Sequence, residues 1–298
     1  MVAVPVGPVV TTLGVDVQGD GVYVEKVGWS ENAESWTLDA RFIPGATDVK
    51  GEGAWADLDA YARRKMVFPG GREFGLDQIC VDAGYNTEAA EAFCRAHPNR
   101  LAVFGRAGWH LPILGRGENL RYEQQGSKAG QASRKAEDKA FIVGTFGVKL
   151  SWYGFLRSTL ASAAAEAAGE VSAARGRAHF NVDLPDEYFE QVTSETIVTE
   201  TKAGQSRRVW KPLAGRANHW LDCRVYNTAA YEKLMLDTLT ASDWAALRAD
   251  RHAPKKDSQR GLFDGPMPVT APQASAVAAP PPAPSFDDAY IEHSEGWL

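Results

Sequence analysis

Apolar and polar positions alternate in short runs early in the chain and recur at helical spacing later. Val9 to Gln18 reads as a first strand, interrupted by a single charge at Asp16. Gln18-Gly19-Asp20-Gly21 supplies hairpin-turn residues. Val22 to Trp29 alternates as a second strand, with Val22, Val24 and Lys26 on one face and Tyr23, Glu25 and Val27 on the other. After a turn at Ser30 to Ala33, Ser35 to Ile43 puts Trp36, Leu38, Ala40 and Phe42 on one side of a third strand. Three strands joined by tight turns make an antiparallel meander. Trp55, Leu58, Tyr61, Ala62 and Met66 then predict a helix over 54–66, stopped by Pro69-Gly70-Gly71. Ile79-Cys80-Val81 closes on Asp82-Ala83-Gly84 as a fourth strand. Asn86 or Thr87 can cap a helix running to about His97, and Leu101 to Phe104 is a fifth strand. A right-handed crossover through the first helix can lay strand four parallel to strand one. Asp16 and Asp82 then sit on neighbouring strands.

The second half is less regular. Residues 105–140 read as a long polar loop rich in Arg and Lys, including Arg134 and Lys135. Phe141 to Val148 can add a strand, and Leu150 to about Ala168 reads as a helix. Thr196 to Glu200 and Arg207 to Trp210 flank Lys202-Ala203-Gly204-Gln205 as a β-hairpin. Asn218 to about Leu239 is an apolar helix with Asp222 one turn into it. From Arg251 the composition changes to Pro, Ala, Val and Ser, which cannot bury enough apolar surface to fold. The expected organisation is a linker over 1–10, a folded domain over 11–250, a disordered linker over 251–285, and an acidic tail over 286–298. The tail carries apolar anchors and reads as either a docking peptide or an unstructured terminus.

Composition narrows the function classes. A net charge of −6 argues against a protein that coats nucleic acid, though local basic patches can sit on an acidic body. The three cysteines, Cys80, Cys94 and Cys223, form no CxxC pair and lie in apolar surroundings. They read as reduced thiols of an intracellular protein, without disulfides or a zinc site. No apolar run approaches the roughly 20 residues of a membrane span, and no secretory signal opens the chain.

Three aspartates interrupt apolar contexts: Asp16, Asp82 and Asp222. A carboxylate in such a context is costly unless it is paired or holds a cation. Carboxylates converging from separate elements suit a hard ion such as Mg²⁺ or Mn²⁺. The plainer alternatives are a solvent-facing strand aspartate, a turn aspartate capping the next helix, and a helix-surface aspartate pairing with Arg216 or Arg224. Asp20 fits ordinary hairpin chemistry or an assisting carboxylate. His219 shares a helix face with Asp222 and can be structural or a general base. Lys202, Arg207, Arg208 and Lys211 with Trp210 form the best candidate DNA contact, the plainer alternative being a solvated hairpin, and the basic loop holding Arg134 and Lys135 is a second.

Leu13-Gly14-Val15-Asp16-Val17-Gln18, Gly28-Trp29 with Glu34-Ser35-Trp36, Asp82-Ala83-Gly84, and Asn218-x-x-Leu221-Asp222-Cys223 with Tyr226 occur in that order. Together they resemble the nuclease domain of the large terminase subunit of tailed bacteriophages, lambda-type, from about residue 11 to residue 232. The resemblance implies an RNase H-like α/β fold, with a mixed central sheet of order 3-2-1-4-5 flanked by helices. It also implies a metal-dependent endonuclease cutting concatemeric viral double-stranded DNA, with Asp16, Asp82 and Asp222 as ligands of two Mg²⁺ or Mn²⁺ ions. Glu195 and Lys149 resemble auxiliary positions. The implied partners are a packaging ATPase domain or chain, the small terminase subunit and the capsid portal, with no membrane, in the cytoplasm of an infected bacterium. Two departures stand out. His219 occupies a place where the family often has Glu, and no GxxxxGK[ST] loop is present. The chain therefore reads as an excised domain, a split gene product or a truncated relative. Rival readings are an actin-like or sugar-kinase-like ATPase, from Gly14-Val15-Asp16 and Asp82-Ala83-Gly84, and a non-enzymatic packaging scaffold or portal-binding module.

Overall fold

A computed structural model describes residues 2–116, 141–170, 174–202 and 204–255. Its strands are β1 (Val2–Ala3), β2 (Val10–Val17), β3 (Gly21–Trp29), β4 (Ser35–Pro44), β5 (Met66–Val67), β6 (Glu73–Phe74), β7 (Gln78–Asp82), β8 (Arg100–Arg106), β9 (Leu114–Arg116), β10 (Phe141–Gly144), β11 (Ala178–Phe180), β12 (Glu195–Lys202) and β13 (Gln205–Pro212). Its α-helices are α1 (Ala54–Ala62), α2 (Thr87–Arg95), α3 (Thr145–Ala167), α4 (Asp186–Val192), α5 (His219–Lys233) and α6 (Ala241–Arg251).

Eight strands form one mixed sheet in the order β11-β4-β3-β2-β7-β8-β10-β9. Strands β2, β3 and β4 are the antiparallel meander. Strands β2, β7, β8 and β10 run parallel, so their carboxyl ends share one edge. The turn after β2 closes through Gln18 N–H donating to the Gly21 carbonyl.

Helices cover both faces. Leu13, Val15, Val22, Val24, Ile79 and Val81 pack on the side of α1 and α2 with Trp55, Leu58 and Phe93. The opposite face carries α3, α4 and α5, where Trp152, Tyr188, Trp220 and Leu221 form a second apolar cluster. Every residue of β2 is buried, as expected of a strand covered on both faces.

Several boundaries differ from the pattern reading. The stretch assigned to a linker joins the fold: Val2–Ala3 pairs with Met66–Val67, and Val4 and Val9 are buried. Strand pairing of Met66–Val67 with both β1 and β6 takes Met66 out of the helix expected over 54–66, which ends at Ala62. The long loop expected over 105–140 contains β9, paired antiparallel with β10. The helix expected to reach Leu239 stops at Lys233, and Leu236–Thr238 forms a 3-10 turn. Helix α6 runs to Arg251, and Lys255 N–H donates to the Gly70 carbonyl, so folded chain extends past 250. Residues 286–298 and most of 251–285 lie outside the described residues. All three cysteines are buried and unpaired. Among the described residues no helix is long and apolar enough to cross a membrane.

Candidate active site

Asp16 and Asp82 close neighbouring parallel strands. The register pairs Val15 with Val81, so both aspartates come next at the carboxyl edge, where open α/β sheets gather their ligand sites. Even-numbered positions of β2 face α5. Thr12 Oγ1 donates to Asn227 Oδ1 at 2.7 Å. Gly14 lies directly against the Cys223 carbonyl and the Asn227 amide, in space that a Cβ would need. Glycine here lets helix and strand meet backbone to backbone. Asp16 follows on the same face and so meets the first turn of α5.

That turn carries His219 and Asp222. His219 Nδ1 lies 2.9 Å from Asp16 Oδ2, and Gln18 Nε2 donates to the same oxygen at 2.8 Å. The Tyr23 ring stacks on His219 with centroids 4.3 Å apart. Asn218, just before the helix, donates to Asp222 Oδ2 at 3.0 Å and to Glu195 Oε1 at 2.7 Å. Helix α3 brings Lys149, whose ammonium lies 2.9 Å from Asp222 Oδ1 and 2.7 Å from Glu195 Oε1. One turn later the Tyr153 hydroxyl donates to the Glu195 carbonyl at 2.7 Å and accepts from its N–H at 2.9 Å.

The electrostatics record how closely the carboxyls gather. Burial pushes Asp82 up to about 6, and the charges of Asp16 and Asp222 push it the same way, against the Gly84 N–H and Tyr226 hydroxyl that donate to it. Burial also lifts Asp222 to about 6, with Asp16 and Glu195 adding to the rise and Lys149 opposing it. Burial lowers Lys149, but the Asp222 and Glu195 carboxylates outweigh it and hold the ammonium above its ordinary value. The bond to Asp16 raises the His219 imidazole. Desolvated carboxyls that repel one another favour a cation among them.

Among the described residues no three acidic, imidazole or thiol groups already enclose an ion position. Lys149 instead turns its ammonium toward Asp222 and Glu195, and the His219 ring bonds Asp16. The donor set is nevertheless oxygen-only at Asp16, Asp82 and Asp222, as hard divalent ions require.

Over residues 1–244 the sequence matches the family described as terminase large subunit gpA, endonuclease domain. The chain belongs to this family. Comparison with curated proteins and with solved structures gives no match. Terminase large-subunit endonuclease domains have a nuclease role in packaging, and the matched span contains the whole carboxylate cluster and the β12–β13 hairpin.

Other expected residues fall around the terminase cluster. Asp20 is exposed in the β2–β3 turn. Lys202 closes β12. Arg208 is exposed on β13, while Arg207 and Lys211 both pair with Glu200. Trp210 packs inward, stacked on Tyr153. Arg134 and Lys135 lie outside the described residues. Arg224, considered as a partner for Asp222, instead binds Glu25 Oε1 at 2.6 Å within a buried network with Thr37, Tyr188 and Asn227.

Pattern reading gave no role to Asn218, Tyr153 or Tyr226. Asn218 and Asp222 are one helical turn apart, a spacing that could have paired them. Tyr153 and Glu195 are far apart in sequence, and no spacing rule joins them.

Proposed function

We propose that this terminase domain is a divalent-metal-dependent endonuclease with an RNase H-like arrangement, cutting concatemeric viral double-stranded DNA during packaging. The observation that carries the reading is the mutual electrostatic reach of Asp16, Asp82 and Asp222, delivered by β2, β7 and α5 to one sheet edge. These three carboxylates would hold two Mg²⁺ or Mn²⁺ ions, which when bound activate water and stabilise the leaving oxygen. Gln18 and His219 fix the orientation of Asp16. Lys149 and Asn218 position Asp222 and Glu195 together. Arg208, Lys202 and the neighbouring hairpin cations offer phosphate contacts, which makes binding salt-sensitive. A packaging ATPase domain or chain, the small terminase subunit and the capsid portal are the partners this reading calls for, in the cytoplasm of an infected bacterium.

Nicking of supercoiled plasmid in Mn²⁺ tests the assignment. Wild-type protein nicks the plasmid, EDTA stops it, and Asp16→Asn and Asp222→Asn abolish it. Equal cleavage by all three proteins overturns the reading.

A further inference from the structure

Two large aromatic side chains stand exposed on the turns that follow neighbouring parallel strands at the carboxyl edge of the sheet. Tyr85 follows β7 and is 61% exposed, and Trp109 follows β8 and is 76% exposed. Both sit on pinned turns. Around Tyr85, Gly84 N–H donates to Asp82 Oδ1 at 2.9 Å and Thr87 Oγ1 to the Ala83 carbonyl at 2.7 Å. Asn86 Nδ2 donates to Thr47 Oγ1 at 2.7 Å. The Tyr85 hydroxyl leans over Gly19, in the turn after Asp16.

The Trp109 turn is also tied back, through longer bonds. Leu111 N–H closes it on the Gly108 carbonyl, and Gly144 N–H bonds the Pro112 carbonyl at 3.1 Å. Thr145 Oγ1 donates to the Arg106 carbonyl at 3.3 Å. At the root of this segment Gly105 lies against the hydroxyl of Tyr226, the donor to Asp82. Trp109 itself meets only the edge of His110 among the aromatic rings described, with centroids 5.9 Å apart.

Leaving these rings in water forgoes the burial that aromatic side chains ordinarily gain. Holding them on hydrogen-bonded turns lowers the entropy lost when something covers them. Aromatic rings beside a phosphodiester site have a natural complement in nucleobase faces, and stacking is indifferent to sequence. In intact duplex those faces are already stacked and paired. We infer that Tyr85 and Trp109 stack on unpaired nucleobases next to the scissile phosphate. The site then prefers duplex DNA that is locally opened. The inference rests on the nuclease reading and deepens it by naming the state of the substrate.

The test is equilibrium binding by the Asp16→Asn protein, which holds DNA without cutting it. The probes are a labelled duplex with a central run of mismatched bases and the same duplex fully paired. The parent binds the mismatched probe more tightly. Trp109→Ala and Tyr85→Ala each lower that preference by roughly 10-fold, and Trp109→Phe restores most of it. 2-Aminopurine placed in the mismatched run is quenched by the parent and not by Trp109→Ala. A parent without preference, or a preference untouched in both alanine variants, overturns the inference. If wild-type protein still nicks plasmid in Mn²⁺, only this inference falls. If it neither nicks nor binds DNA, the nuclease reading falls with it.

Discussion

The backbone carbonyl of Cys223 fills the space that a Cβ on Gly14 would need. This contact sets the depth at which α5 lies on β2, and with it the approach of His219 and Asp222 to Asp16. Gly14→Ala forces the helix away from the strand. Overpacking of this kind costs roughly 1–3 kcal/mol. Urea denaturation should show that loss, and plasmid nicking should fall by more than the unfolded fraction accounts for. Wild-type stability in the variant would mean that the helix yields freely.

Lys149 is shared by two carboxylates in a buried setting, with Lys149 and Glu195 both under a tenth exposed. Removing one partner of a buried ion pair strands the other and costs about 3–5 kcal/mol. Lys149→Met should lose stability on this scale in urea. Adding Glu195→Gln to that variant should recover part of it, because the stranded charge is gone. Additive losses in the double variant would argue against direct coupling.

Divalent ions should stabilise the protein independently of any cleavage. An ion at 100 times its dissociation constant adds about 2.7 kcal/mol to the folded state. Thermal melting in Mn²⁺ should rise, and EDTA should reverse the rise. The Asp16→Asn/Asp222→Asn double variant should show little of it. An equal rise in that variant would place the ion elsewhere.

Lys26 makes the stability depend on alkaline pH. Its ammonium is fully buried on β3, donates to the Tyr61 carbonyl at 3.1 Å and lies 3.8 Å from the Tyr61 ring centroid. Burial depresses it from 10.5 to about 8, with Asp39 pulling the other way. Below pH 8 both states hold the proton and the folded state bears the whole cost. Between about 8 and 10.5 the unfolded chain still holds a proton that the folded chain has released. Unfolding then takes up a proton, so this group's contribution to stability rises with pH, by about 3 kcal/mol across the window. Tyr61, raised by burial, titrates in the opposite sense, so the wild type is best compared with Lys26→Met. The variant should be more stable at neutral pH, and the gap should close by about pH 10.5. A gap independent of pH would contradict the shift.

Much of the frame was legible because strand periodicity and crossover handedness are local rules. They placed Asp16 beside Asp82 without reference to any distant residue. They failed at β3, where alternation assigned Glu25 and Lys26 to different faces but could not show that both faces are covered. Lys26 lies beneath α1, and Glu25 is held by Arg224 and Asn227 of α5. A two-residue strand such as Val2–Ala3 carries no periodicity, and its partner is far along the chain. The tie between Lys149 and Glu195 was equally hidden, since it joins elements by tertiary packing alone.

Glu195 is the first residue of the β12–β13 hairpin and also the acceptor for Lys149 and Asn218. The hairpin thus begins within the cluster itself. Its first carboxylate shares Lys149 with Asp222, so the start of the hairpin and the charge balance at the sheet edge depend on the same ammonium.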